Sequence, residues 1–145
     1  TDYAFDSAPW RLVQHGHPGE AAESDYNCTE DEPHQWLSID LGPGRSLRVT
    51  HYALRHGYYD GAQLRSWRLE GSHHGSEWAP LKTHEGDESM PHKLGWCVGD
   101  WAVDGAEGEG YRHFRVIQTG KNSQGHNRLY CAGIELYGWL LGAEW

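Results

Sequence analysis

Short runs of alternating apolar and polar residues recur along the second half of the chain, and each is closed by Gly, Asn, Asp or His. In Trp36-Leu-Ser-Ile-Asp-Leu41, the residues Leu37, Ile39 and Leu41 alternate with Ser38 and Asp40. In Tyr111-Arg-His-Phe-Arg-Val-Ile-Gln118, Phe114 and Val116 stand on either side of Arg115. A period of two sends successive side chains to opposite faces of a strand, so one face packs and the other meets water. The pattern predicts strands over residues 35–41, 47–55, 67–71, 78–84, 96–103, 111–119 and 129–140. The first 34 residues are irregular, with one or two short strands near 3–5 and 11–14. Gly42-Pro43-Gly44 supplies a turn, and Ser72-His73-His74-Gly75-Ser76 a tight hairpin. Residues 85–93 form a polar loop, and 104–110 an acidic, glycine-rich connector. No segment keeps apolar residues at helical spacing, and no internal repeat is present. The expectation is an all-β jelly-roll sandwich of about eight antiparallel strands, with residues 35–140 as its body and 141–145 as a tail. Such folds act through their loops, which points to a binding module and away from an enzyme.

Composition sharpens that picture. A chain of 145 residues makes one domain and buries roughly two thirds of its unfolded surface. Hydrophobic content is only 37%, but eight Trp and eight Tyr supply bulk, and aromatics bury large areas with few rotamers to lose. The net charge of −9 removes the basic face that nonspecific nucleic-acid binding needs. Acid crowds the first quarter, whereas residues 45–68 hold five Arg and one Asp, so a local basic patch is compatible with the acidic total. Cys28, Cys97 and Cys131 cannot all pair within one chain, and they read as reduced, packed thiols. Asn27-Cys28-Thr29 fits a glycosylation sequon, a tripeptide short enough to recur by chance. No apolar run reaches the roughly 18 residues of a membrane span, and the start lacks a signal pattern.

An ordered set of motifs adds a family resemblance. His34-Gln-Trp-Leu-Ser-Ile-Asp-Leu-Gly42, Leu54-Arg-His56, Leu64-Arg-Ser-Trp67, Leu69-Glu-Gly-Ser72, Trp78, Tyr111-Arg-His-Phe-Arg-Val116 and Gly133-Ile-Glu-Leu-Tyr-Gly138 together resemble the discoidin, or coagulation-factor type C, domain. That is a galactose-binding-like jelly roll. Leu64-Arg-Ser-Trp67 with Thr119-Gly-Lys-Asn-Ser123 looks closest to the intracellular branch in HECT-type ubiquitin ligases and BTB/POZ proteins. Secreted members tie their ends with a Cys pair, and no Cys here lies near position 1 or 140. The resemblance implies a cytoplasmic module of a larger protein, a protein or peptide partner, and ligand contacts on loops at one end of the barrel.

The candidate contact residues follow. Arg55, His56, Tyr58 and Tyr59 precede Arg65 across one aromatic loop, and planar guanidinium donors beside aromatic rings are the side chains that dominate interfaces. The structural alternative is that Arg55 and Arg65 pair with acids such as Asp40 or Glu70. Lys121, Asn122 and Arg128 bound the most polar loop, whose amides suit a peptide backbone or sugar hydroxyls. Trp96 is a further contact candidate, and a glycan is the competing ligand if an aromatic platform stands nearby. A structural piece of a large assembly is the third reading.

Metal and cofactor sites are not expected. His15-Gly-His17 and His73-His74 are pairs, whereas zinc needs three or four converging ligands. Acids between 25 and 32 lack a calcium-loop signature. No nucleophile elbow, Cys beside His or paired carboxylate stands out. Trp10, Trp96, Trp101, Trp139 and Trp145 are assigned mostly to packing and interfaces, because membrane-docking tips want basic surroundings. Trp145 is expected to be exposed or docked on a neighbour.

Overall fold

The computed structural model describes residues 27–57, 60–90, 95–104 and 108–142. The expected strands near 3–5 and 11–14, and Trp10 and Trp145, lie outside the described residues. Nine strands follow in chain order: β1 Asn27–Cys28, β2 Trp36–Asp40, β3 Ser46–Arg55, β4 Trp67–Ser72, β5 Ala79–His84, β6 Val98–Ala102, β7 His113–Gln118, β8 Tyr130–Cys131 and β9 Gly133–Leu141. A four-stranded sheet in the order β2-β7-β4-β5 packs over a three-stranded sheet β6-β3-β9, and β1 pairs with β8. All pairings are antiparallel. The jelly-roll sandwich expected from the alternation is therefore present, with no helix among the described residues.

The alternating residues build the space between the sheets. Leu37 from β2, Phe114 and Val116 from β7, Trp67 and Leu69 from β4, and Leu47, Val49, Tyr52 and Leu54 from β3 are buried together. Ser38, Asp40 and Arg115, at the intervening positions, face outward, as period two requires. The run expected at 129–140 is broken into β8 and β9, because the Ala132 amide leaves the ladder and donates to Arg55 O at 2.8 Å. The connection between β4 and β5 lies one residue later than the predicted strands place it: Ser72 ends β4, Trp78 stays in the turn, and Gly75 takes φ 81° there.

Polar pairing within the sheets corrects one sequence reading. Asp40 is bound side-on by Arg112, Nε to Oδ1 at 2.7 Å and Nη2 to Oδ2 at 2.9 Å. Glu70 is held by Arg115 at 2.6 Å and by Arg68 at 3.2 Å. Neither acid takes Arg55 or Arg65. Strand register decides this, since Glu70 lies directly opposite Arg115 between β4 and β7. Arg115 also stacks on Trp78 at 4.4 Å from the ring centre.

Most of the core is apolar, but one polar chain crosses it. Trp67 Nε1 donates to Tyr52 Oη at 2.9 Å, Tyr52 Oη lies 2.5 Å from His84 Nε2, and His84 Nδ1 lies 2.7 Å from Asp87 Oδ2. With Nδ1 protonated toward Asp87, the Tyr52 hydroxyl donates to Nε2, and every member is satisfied. The His84 ring stacks on Trp67 at 3.9 Å. Burial pushes the His84 pKa down, against the pull of Asp87. Burial likewise raises the Tyr52 hydroxyl well above its ordinary range.

Candidate functional site

The loops singled out in the sequence meet at one end of the sandwich. Backbone hydrogen bonds tie them pairwise: His56 N to Cys97 O at 2.8 Å, Trp96 N to Gly57 O at 2.8 Å, and Ser123 N to Gln63 O at 2.9 Å. Side chains add further ties. Asp60 Oδ1 accepts from Gly95 N at 2.9 Å, and Ser123 Oγ accepts from Gln63 N at 3.0 Å. The segment after β1 joins the same group, with Asp31 Oδ1 accepting from Asn127 N at 2.8 Å. Residues 29–31, 55–57, 60–65, 95–97 and 121–132 thus belong to one end of the sandwich.

The two motifs most characteristic of the resembled branch pack on each other here. Thr119 N donates to Ser66 O at 3.0 Å, and Gly86 N donates to Ser66 Oγ at 3.1 Å. A Cβ on Gly120 would stand 3.0 Å from Ser66 Cβ, so a side chain at that position would crowd the crossing. Leu64-Arg-Ser-Trp67 and Thr119-Gly-Lys-Asn-Ser123 thus meet at Ser66 and Gly120.

The candidate residues divide by accessibility. Lys121 is exposed, and Arg55, Arg65, Trp96 and Arg128 are half-buried. His56 is buried, with Nε2 on Gly61 O at 2.7 Å, and Asn122 is buried with Nδ2 donating to Arg128 O at 3.0 Å. Those two side chains hold the loops from inside and are not presented at the surface. Tyr58 and Tyr59 lie outside the described residues. Arg65 Nη1 donates to Leu64 O at 3.0 Å and Met90 O at 3.4 Å, and beside it a groove of about 600 Å³ is lined by Arg65, Gly86, Glu88 and Ser123. Trp96 supplies an aromatic side chain at the same end.

Sequence reasoning missed three features of this end. Three non-glycine residues take left-handed backbone: His34 (φ 60°), Ala62 (φ 60°) and Trp96 (φ 59°). All three sit at this end, immediately before β2, in the β3–β4 connection and immediately before β6. Such conformations cost about 1–3 kcal/mol each and persist where surrounding contacts impose them. The second feature is Asp87, which fastens the β5–β6 connection through Asp87 N to Arg65 O at 2.7 Å while its carboxylate meets His84. The third is Gln124, whose side chain lies across Gly61 so closely that a Cβ there would come within 2.8 Å of its amide carbon. Only the His84-x-x-Asp87 spacing in the sequence hints at any of these.

Among the described residues, no group of three His, Cys, Asp or Glu is arranged to hold a metal ion. His73 pairs instead with Glu109 at 2.9 Å. Cys97 and Cys131 are buried thiols, and burial pushes Cys131 up to about 12. Among the described residues no helix is long and apolar enough to cross a membrane. Trp101 packs into the aromatic group with Tyr52 and Trp67. Trp139, in contrast, is 67% exposed on the outer side of β9.

No family model matches the chain. It is 37% identical over 121 residues to the E3 ubiquitin-protein ligase Ufd4 of Drosophila melanogaster, a match covering 80% of this chain and 4% of the ligase. It is 35% identical over 115 residues to the E3 ubiquitin-protein ligase hecd-1 of Caenorhabditis elegans, covering 77% of this chain and 4% of that protein. A BTB/POZ domain-containing protein of Arabidopsis thaliana is 33% identical over 111 residues, 72% of this chain and 13% of the relative. The chain therefore spans a small part of each relative. Among solved structures, the lectin domain of lectinolysin complexed with Lewis b antigen superposes with a TM-score of 0.69 at 16% identity, covering 96% of this chain and 89% of that one. A Streptococcus pneumoniae fucose binding module gives 0.68 at 13% identity, covering 96% and 88%.

Proposed function

We propose that this domain, a discoidin-type, galactose-binding-like β-sandwich whose sequence relatives lie within ubiquitin ligases and a BTB/POZ protein, is a non-catalytic recognition module of a larger intracellular protein. It takes a protein or peptide partner on the end built from residues 55–57, 60–65, 95–97 and 121–128. The observation that carries this reading is the groove beside Arg65, where Arg65 and Ser123 meet Gly86 and Glu88 of the β5–β6 connection, together with left-handed backbone at His34, Ala62 and Trp96 on that same end. Strain retained at one end of a fold is a pointer to function there. Arg65 and Lys121 offer cationic donors to carboxylates or backbone carbonyls, and Trp96 offers a stacking surface. The buried His56 and Asn122 hold the loops in shape, so little ordering cost remains at binding.

A glycan ligand is the second reading, favoured by Trp96 standing at the same end and by the lectin and fucose-binding names of the structural neighbours. One experiment separates the two. The domain is screened on a glycan array and used in parallel to capture partners from cell lysate, as wild type and as Arg65→Ala/Lys121→Ala. Capture of a defined protein that the double variant loses, with no selective glycan signal, supports the first reading. Selective glycan binding overturns it, and so does capture that the variant leaves unchanged while its melting temperature is retained.

A further inference from the structure

We infer that the opposite end of the sandwich carries a second binding site, a preformed cleft that takes the cationic side chain of a lysine- or arginine-bearing peptide. The cleft lies between the turn at 73–78 and the segment entering β7, encloses about 460 Å³, and is lined by His73, His74, Glu77, Trp78, Glu109 and Tyr111 among others. That volume suits one long side chain with its neighbours.

Its walls are fixed before any ligand arrives. Tyr111 is locked to β3 by paired backbone bonds with Leu47, at 2.9 and 3.0 Å. Its ring lies over Gly71, where a Cβ would stand 2.7 Å from it, so glycine at 71 makes room for the platform. Trp78 is pinned by the Arg115 guanidinium, and that charge is neutralised by the buried Glu70. His73 packs 4.8 Å from the Tyr111 ring and bonds Glu109 Oε2 at 2.9 Å. Rigid walls leave little ordering cost for a ligand.

The chemistry selects a cation. Glu77 and Glu109 are exposed carboxylates, no Lys or Arg among the described residues lines the cleft, and the chain carries a net charge of −9. Aromatic faces beside carboxylates attract ammonium and guanidinium groups through the ring quadrupole and by direct pairing. A smaller cleft of about 160 Å³ shares Glu109 and Tyr111 and runs on past Asp104 and Arg48. Arg48 Nε there is buried without a hydrogen-bond partner, a donor suited to a peptide carbonyl. The ligand is accordingly a stretch of chain and not a lone ion.

The test is calorimetric titration of the whole domain with a capped oligo-lysine peptide and with a capped neutral peptide of equal length, at about 0.15 M salt so that long-range attraction is screened. Glu77→Gln/Glu109→Gln is compared with Glu30→Gln/Glu32→Gln, an equal loss of charge at the far end. All four side chains are exposed, and thermal melts check the folds. The expected result is binding of oligo-lysine alone, weakened about tenfold or more by the cleft pair and less than about twofold by the remote pair. Equal weakening by both pairs, equal binding of the neutral peptide, or no binding of oligo-lysine overturns the proposal.

Discussion

Replacing Tyr52 with Phe removes one oxygen from the centre of the core and leaves two polar atoms stranded. Trp67 Nε1 loses its acceptor and His84 Nε2 loses its donor, in a place where Tyr52 and Trp67 are 0% exposed and His84 3%. No water reaches them to compensate. A buried group deprived of its partner costs about 1–3 kcal/mol, so two give a range of about 2–6. Relief from burying the hydroxyl itself offsets part of this, and the expected loss is about 3 kcal/mol. For a domain of this size that lowers the melting temperature by roughly 6–12 °C. Urea denaturation followed by tryptophan fluorescence at neutral pH measures it, with an unchanged m-value confirming that the folded and unfolded states are otherwise comparable. A loss below about 1 kcal/mol would refute the satisfied-chain account, because it would mean that Trp67 and His84 never depended on that hydroxyl.

The same chain sets an acid sensitivity. Burial holds His84 below its ordinary value of 6.5, so below pH 6.5 the unfolded chain takes up a proton that the folded protein refuses. Stability is expected to be level above about pH 7 and to fall as pH drops through 6.5 toward the depressed folded value; His84→Gln should flatten that slope in a pH series of melts, and an unaltered slope would remove His84 as its source. Gly138→Ala is expected to cost more than about 3 kcal/mol, since its Cβ would lie 2.0 Å from the Arg48 carbonyl oxygen on the paired strand; a melt within about 2 °C of wild type contradicts this. His34→Gly relieves left-handed backbone at an exposed residue and should raise stability by about 0.5–1 kcal/mol, read as a melting-temperature increase of a few degrees.

Period-two alternation was enough to locate the inner face of the four-stranded sheet, because Leu37, Phe114 and Val116 carry the pattern in short, uninterrupted runs. It was blind to polar residues turned inward. Gln63, His84, Gln118 and Asn122 are buried, and their partners lie on other strands or loops, as with Gln63 and Ser123 or Tyr52 and His84. Which arginine meets which acid depended on register for the same reason. Asp40 and Glu70 were legible as charges in strands, but Arg112 and Arg115 become their partners only once β7 lies between β2 and β4. At the candidate site the loops were legible from their Gly, Asn and aromatic content. The inward turn of His56 and Asn122 was not, since nothing in a polar residue's identity says which way a loop faces it.

The central claim is that residues 55–57, 60–65, 95–97 and 121–128 make one recognition face. A photo-crosslinking amino acid at position 121, at position 88, or at position 137 on the outer side of β9 tests it directly in cells. The account predicts the same adduct from positions 121 and 88 and none from 137. An adduct confined to position 137 would place recognition on the open face of the three-stranded sheet and contradict the account.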